Sequence, residues 1–420
     1  MTTPLPTPVA TTRNATVLPV ALSVLVALLL ALAGPFLLRG VEPGLSFSFY
    51  ANEQPAGITE QYSDAGIISD RKDELASLHE EGWKVSSFWR DSWQYLIGSS
   101  GDFAEVRSPF LYRFVPTGIA FAINQLFGGG PTTLLLAWQV MNVLAVALTA
   151  GVVTFLGIRL FHAPATIAIA TPAVMVASIP VVHTTGFVSV DPLSMLWVAG
   201  IALALYMRSW WLFILTAVAG TLTKEVLAIA ALPWLLMTIR HAKADRRLWP
   251  AVGGVVTALT PIVTFLAIRA ALGSSAVEVN FGFNPLAGEF PSYWQRFTSV
   301  TGIIAFGLAV FFAFTVLWVG IFGTRRPLWL RDFSWSLLLG LVISIALLSG
   351  RVTRTMAPMG PLLALGMMPL LQLLDRRTRT PHTNHGTTDG TADGTTDGDT
   401  DASELSAATQ AGNTENNASR

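Results

Sequence analysis

The chain is written in long apolar runs separated by short polar joints. The first run extends from Val17 to Leu38. Nine more follow, at 110–128, 131–158, 163–182, 191–208, 211–239, 248–272, 299–323, 333–350 and 355–374. The runs are continuous, without the alternation of period two that a membrane barrel requires. At about 1.5 Å per residue, a run the length of the first reaches about 33 Å, enough for a helix to cross a bilayer. The pattern predicts an all-α, polytopic membrane protein with about ten transmembrane helices.

The polar segments divide the chain. Residues 1–16 form a short leader with one base, Arg13. A cleavable signal peptide has an apolar region of about 7–15 residues, so the longer run after Arg13 favours an uncleaved first helix. Ala31-Leu-Ala-Gly34 leaves cleavage open. The polytopic domain spans 17–380. Residues 381–420 repeat Thr, Asp and Gly with nothing to bury, which predicts a disordered tail. The spacing of its Asp-Gly pairs lacks the pattern of a calcium loop.

Between the first two runs lies a polar segment, 40–109. That is too long for an idle connection. Leu75, Leu78, Trp83, Phe88, Trp89, Trp93 and Tyr95 are spread there among charged residues. This composition suits amphipathic helices lying on the membrane surface, with Trp and Tyr at headgroup level.

Charge sets the orientation. Arg240, Lys243, Arg246 and Arg247 form one basic cluster, Arg325, Arg326 and Arg331 a second, and Arg376, Arg377 and Arg379 a third. The positive-inside rule places all three in the cytoplasm, with both termini. Segments 40–109 and 273–297 are then external. Two topologies fit these anchors. Ten simple crossings put Arg159 and Arg208 outside, and leave Lys224-Glu225 in mid-membrane. The run 211–239 is too long for one crossing, about 43 Å as a single helix, and Thr-Leu-Thr-Lys-Glu interrupts it. In the second topology it breaks into two short helices meeting at Lys224, and 110–128 is a half-helix returning to the outer face. Asp191 and Lys224-Glu225 then reach that face.

Composition narrows the class. Of 420 residues, 52% are hydrophobic and 12% charged, about half the usual charged fraction of roughly 25%. That excludes an ordinary cytosolic enzyme and a disordered chain. With no cysteine, a disulfide scaffold is excluded too. Net charge is zero, yet 381–420 holds seven acids and one base, while 40–109 holds twelve acids and five bases. Such asymmetry reports topology, not nucleic-acid binding. No nucleotide loop, zinc spacing or nucleophile elbow occurs, and Gly128-Gly-Gly130 reads as a turn.

Candidate chemistry sits at a few ionisable positions. Asp91, within Trp89-Arg-Asp-Ser-Trp93, offers a general base or a ligand for a divalent cation, or is a solvated surface charge. Arg113 opens an apolar helix, where it reaches a partner, a phosphate or the headgroups. Lys224-Glu225 lies in an apolar stretch, and such residues face a cavity or close a helix break as an ion pair. Asp191, preceded by His183-Thr-Thr, is a functional acid or an ordinary helix start. Arg351 and Arg354 are one turn apart before the last helix, spaced to clamp a phosphate or to anchor in the interface.

In order along the chain come a first helix, an external Asp-x-x-x-Tyr, and a Pro-Phe-x-Tyr-Arg-Phe-x-Pro helix. An Asp-Pro-Leu helix, Leu-Thr-Lys-Glu and an arginine-rich external turn before a proline-containing last helix follow. Over residues 17–375 this order resembles poorly characterised bacterial multi-pass proteins similar to type C glycosyltransferases, which use polyprenyl-phosphate-linked sugars. The resemblance implies a polyprenyl-phosphate sugar donor, an envelope glycan acceptor and the plasma membrane as location. It implies catalytic roles for Asp91, Asp191 and Glu225. It implies substrate binding by Tyr95, Tyr112, Arg113, His183, Lys224, Arg351 and Arg354. No cofactor is implied, and a divalent cation is compatible with the site. Two other classes stay open: a transporter or flippase for a lipid or anionic solute, in which the buried charges line a pathway, and a non-catalytic membrane scaffold.

Overall fold

The computed structural model describes residues 14–41, 95–96, 98–101, 106, 110–129, 131–185, 188–245, 248–272, 315–322, 327–348 and 357–379. Within them the ordered elements are helices, with no strand among the described residues. The leader, the tail 381–420, most of 40–109 and the start of the run 299–323 lie outside the described residues, and so do the expectations placed on them. The residues up to Arg376 form one unit.

Helix α1 runs Asn14–Val41. α2 is Phe114–Leu126, preceded by a 3₁₀ turn at Phe110–Tyr112. α3 is Pro131–Phe161, α4 Ala165–Ala177 and α5 Ile179–Thr185. α6 is Asp191–Met207 and α7 Trp210–Thr221. α8 is Ala231–Asp245 and α9 Leu248–Leu272. α10 is Leu328–Leu348, and α11, Gly360–Arg379, follows a 3₁₀ turn at Ala357–Met359. Among the described residues, four segments are long and apolar enough to cross a membrane: Thr16–Gly34, Leu136–Phe161, Glu225–Lys243 and Ala251–Leu272. Shorter apolar helices accompany them, α2, α4, α6 and α7 included. These features support a membrane-spanning helical chain.

The helix boundaries follow local chemistry. Pro131 opens α3 at a position where its missing N–H is not needed. Run 163–182 splits at Ser178, which is extended at φ −67° and ψ 141°. Residue 180 is a proline without an N–H to continue the ladder of α4, and it falls in the first turn of α5, where none is needed. α6 stops at Arg208, a non-glycine in the left-handed region at φ 53°. The N–H of Ser209 closes that turn on the Ala204 carbonyl at 3.0 Å.

The core is built on α3 and α6. Val146, Ala150, Val153 and Leu156 of α3 pack in one cluster with Val198, Ile201, Ala202 and Leu205 of α6. α1 lies against α3 and α4. There Thr154 Oγ1 donates to the Ala168 carbonyl at 2.9 Å and meets Ser23 Oγ at 2.7 Å, tying three helices with hydrogen bonds. In lipid such bonds hold helices that the hydrophobic effect alone cannot. The outer faces of α1 and α9 keep Leu18, Leu25, Leu29, Val252, Val256 and Val263 exposed, as lipid contact requires.

Small residues bring other helices close. A Cβ at Gly320 would run into the backbone of Gly366, and one at Gly157 into the Met368 side chain. A second cluster fills one end of the bundle. Tyr95, Leu111, Ala120, Trp138, Val188 and Leu193 belong to it, and Leu272 at the end of α9 packs on it. Tyr95 joins this cluster to the charged residues of the site.

Candidate functional site

The site begins with a broken helix. α7 ends at Thr221, and the N–H groups of Thr223 and Lys224 both turn back to the Gly220 carbonyl, at 3.0 and 2.8 Å. Lys224 is extended, at φ −153° and ψ 115°, and a 3₁₀ segment, Glu225–Ala230, leads into α8. The break occurs where the polar Thr-Leu-Thr-Lys-Glu interrupts an overlong apolar run. Thr223 Oγ1 donates to the Ala219 carbonyl at 2.8 Å and accepts from Trp197 Nε1 at 2.9 Å, so α6 props the break.

An extended residue points its side chain and its neighbour's in opposite directions. Lys224 and Glu225 accordingly serve different partners. Lys224 Nζ donates to Asp191 Oδ1 at 3.0 Å. Asp191 is 1% exposed. A carboxylate so far from water persists only with a counter-charge and hydrogen bonds. The Ser189 hydroxyl supplies one, donating to Asp191 Oδ2 at 3.2 Å. Asp191 also opens α6, where its charge complements the helix dipole.

Glu225 is gripped by Arg113. Nε donates to Oε1 at 2.8 Å and Nη2 to Oε2 at 2.9 Å, a two-pronged pair of the kind only arginine makes. The third arm, Nη1, donates to the Tyr95 hydroxyl at 2.7 Å. Arg113 itself caps the start of α2, outside the helical region at φ −95° and ψ 48°. Tyr95 is fully buried, its ring 5.8 Å from that of Trp138. Trp138 Nε1 donates to Ser99 Oγ at 3.0 Å, which in turn donates to the Tyr95 carbonyl at 2.6 Å.

Comparison of the chain with protein families, with curated proteins and with solved structures finds no match.

Five candidate residues meet here: Tyr95, Arg113, Asp191, Lys224 and Glu225. Among the described residues, two cations here meet two carboxylates. Tyr112 is buried beside it, its ring edge-on to Phe265 of α9 at 6.2 Å. His183 lies on α5. Asp91, Arg351 and Arg354 lie outside the described residues. Among the described residues, no three His, Asp or Glu side chains converge as metal ligands.

The structure adds residues that motif reading passed over. Trp138, Trp197, Ser189 and Thr223 support the charged groups, and nothing in their spacing marks them. Arg269 stands over the Tyr112 ring, 5.7 Å from its centroid. It is the one ionisable residue of α9, which was a legible signal.

Proposed function

We propose that the chain is a membrane-embedded glycosyltransferase that moves a sugar from a polyprenyl-phosphate carrier to an envelope acceptor at the outer face. One observation carries the reading. Residues that the family resemblance singles out at four separate points of the chain, Tyr95, Arg113, Asp191 and Lys224-Glu225, meet around one helix break, in two ion pairs joined by a single peptide bond.

The positions of the basic residues support the outer face. Arg240 and Lys243 belong to the basic cluster of the inner face by the positive-inside rule. α9 begins just after them and carries Arg269 about 30 Å further along its axis. Tyr112, under Arg269, and the adjoining Arg113 then belong to the outer end.

The chemistry follows from these groups. The guanidinium fork of Arg113 fits a phosphate as well as a carboxylate, so the lipid phosphate competes with Glu225 for it. Lys224, the chain neighbour of Glu225 and paired with Asp191, is the second cation at the helix break and adds positive charge to the site. Asp91 takes the proton of the acceptor hydroxyl as general base. The acceptor oxygen then bonds to the anomeric carbon while the bond from that carbon to the phosphate oxygen breaks. The leaving group is polyprenyl phosphate, stabilised by Arg113 and Lys224.

The test is mass spectrometry of wall glycans and lipid-linked sugars in a deletion strain complemented with wild type or Asp91→Ala. The reading expects a missing sugar and an accumulating donor, restored by wild type alone. An unchanged profile in every strain would overturn it in favour of a transporter or a scaffold.

A further inference from the structure

We infer that Arg269, lying over Tyr112, is the residue that receives the phosphate of an anionic prenyl lipid arriving along α9 from the bilayer. The inference deepens the transferase reading and rests on it for the class of lipid.

Arg113 and Lys224 are each matched by a carboxylate, Glu225 and Asp191. A phosphate entering the cluster brings uncompensated negative charge into a partly buried place, which is unfavourable without a further cation. Arg269 is that cation. It is exposed, and among the described residues no carboxylate pairs with it. Its guanidinium instead stands over the ring of buried Tyr112, whose chain neighbour is Arg113. Contact with a ring does not neutralise the guanidinium, so its charge stays available to an anion.

The route follows from α9. Its other residues from Leu248 to Leu272 are uncharged, and Val252, Val256, Val263 and Leu266 expose apolar surface. A soluble anion gains nothing from such a face, whereas a prenyl chain lies along it. An arginine that only anchored the helix would extend to headgroups. Arg269 folds onto the residue next to the site instead.

The experiment measures binding of farnesyl phosphate, farnesol and inorganic phosphate to the purified full chain in detergent by native mass spectrometry. Wild type, Arg269→Gln and Arg269→Lys are compared. Arg269→Gln is expected to weaken farnesyl phosphate about tenfold, the loss of one charge-assisted hydrogen bond at a partly wet site. Arg269→Lys is expected to recover most of it, and farnesol binding to stay unchanged. Equal farnesyl phosphate binding by wild type and Arg269→Gln overturns the inference and leaves the transferase reading intact. An equal loss for farnesol also overturns it, since the effect is then packing. Inorganic phosphate binding as tightly as farnesyl phosphate overturns the lipid source. If the tenfold loss holds but the glycan profile of the deletion strain is normal, the lipid site stands and the transferase reading falls.

Discussion

Lys224 and Glu225 are neighbours in the chain, yet they close two separate ion pairs, on Asp191 at 3.0 Å and on Arg113 at 2.8 Å. The peptide bond between them links α6 to the start of α2 through a single point of unwound backbone. Moving either residue moves both pairs.

The Asp191 pair is the more deeply buried, with Asp191 at 1% and Lys224 at 14% exposure. Removing one partner strands a charge, so Asp191→Asn is expected to lower stability by roughly 3 kcal/mol. Adding Lys224→Met to that variant removes the stranded charge and should restore part of the loss. A double-mutant cycle on thermal unfolding in detergent reads the coupling, expected at about 1–3 kcal/mol. Additive losses would mean that the pair contributes nothing as a pair.

Much of this arrangement was legible in the sequence, and the reason is membrane physics. A run as long as 211–239 with a polar centre cannot be one helix in lipid, so the break at Lys224 was readable. Asp191 and Arg113 stood out as charges at the ends of apolar runs. The partnerships were not readable. The sequence offered Lys224 and Glu225 as a pair with each other, but extended backbone turns them apart. Their true partners are 33 and 112 residues away, a separation that no local pattern encodes. The second split, at Ser178, was missed because 163–182 carries no charge, and a proline within it is no sure sign of a break: Pro172 of the same run lies inside α4.

Tyr95 isolates one bond. Tyr95→Phe keeps the ring against Trp138 and removes only the hydroxyl that accepts from Arg113. A hydrogen bond to a charged group contributes about 1.5 kcal/mol or more. The variant is expected to fold and to lose about tenfold in sugar transfer, measured with membranes and the donor that accumulates in the deletion strain. Transfer at the wild-type rate would remove the hydroxyl from the site.

Two glycines should differ although both are crowded. The Cβ of Gly320→Ala would meet backbone of Gly366, which cannot move without shifting a helix. A loss of about 1–3 kcal/mol is expected. The Cβ of Gly157→Ala would meet the end of Met368, a flexible chain that can turn aside. Its loss should stay under about 1 kcal/mol. Melting temperatures of the two variants, side by side in the same detergent, check the order; equal shifts would contradict the packing described.

The most direct test bears on Arg113, whose fork joins Glu225 and Tyr95. Arg113→Lys keeps the charge and loses the two-pronged geometry. The measurement is mass spectrometry of envelope glycans and polyprenyl-phosphate sugars in a deletion strain carrying this variant at the wild-type protein level. The account predicts a depleted glycan with its lipid-linked donor accumulating. A wild-type profile at that protein level would contradict it.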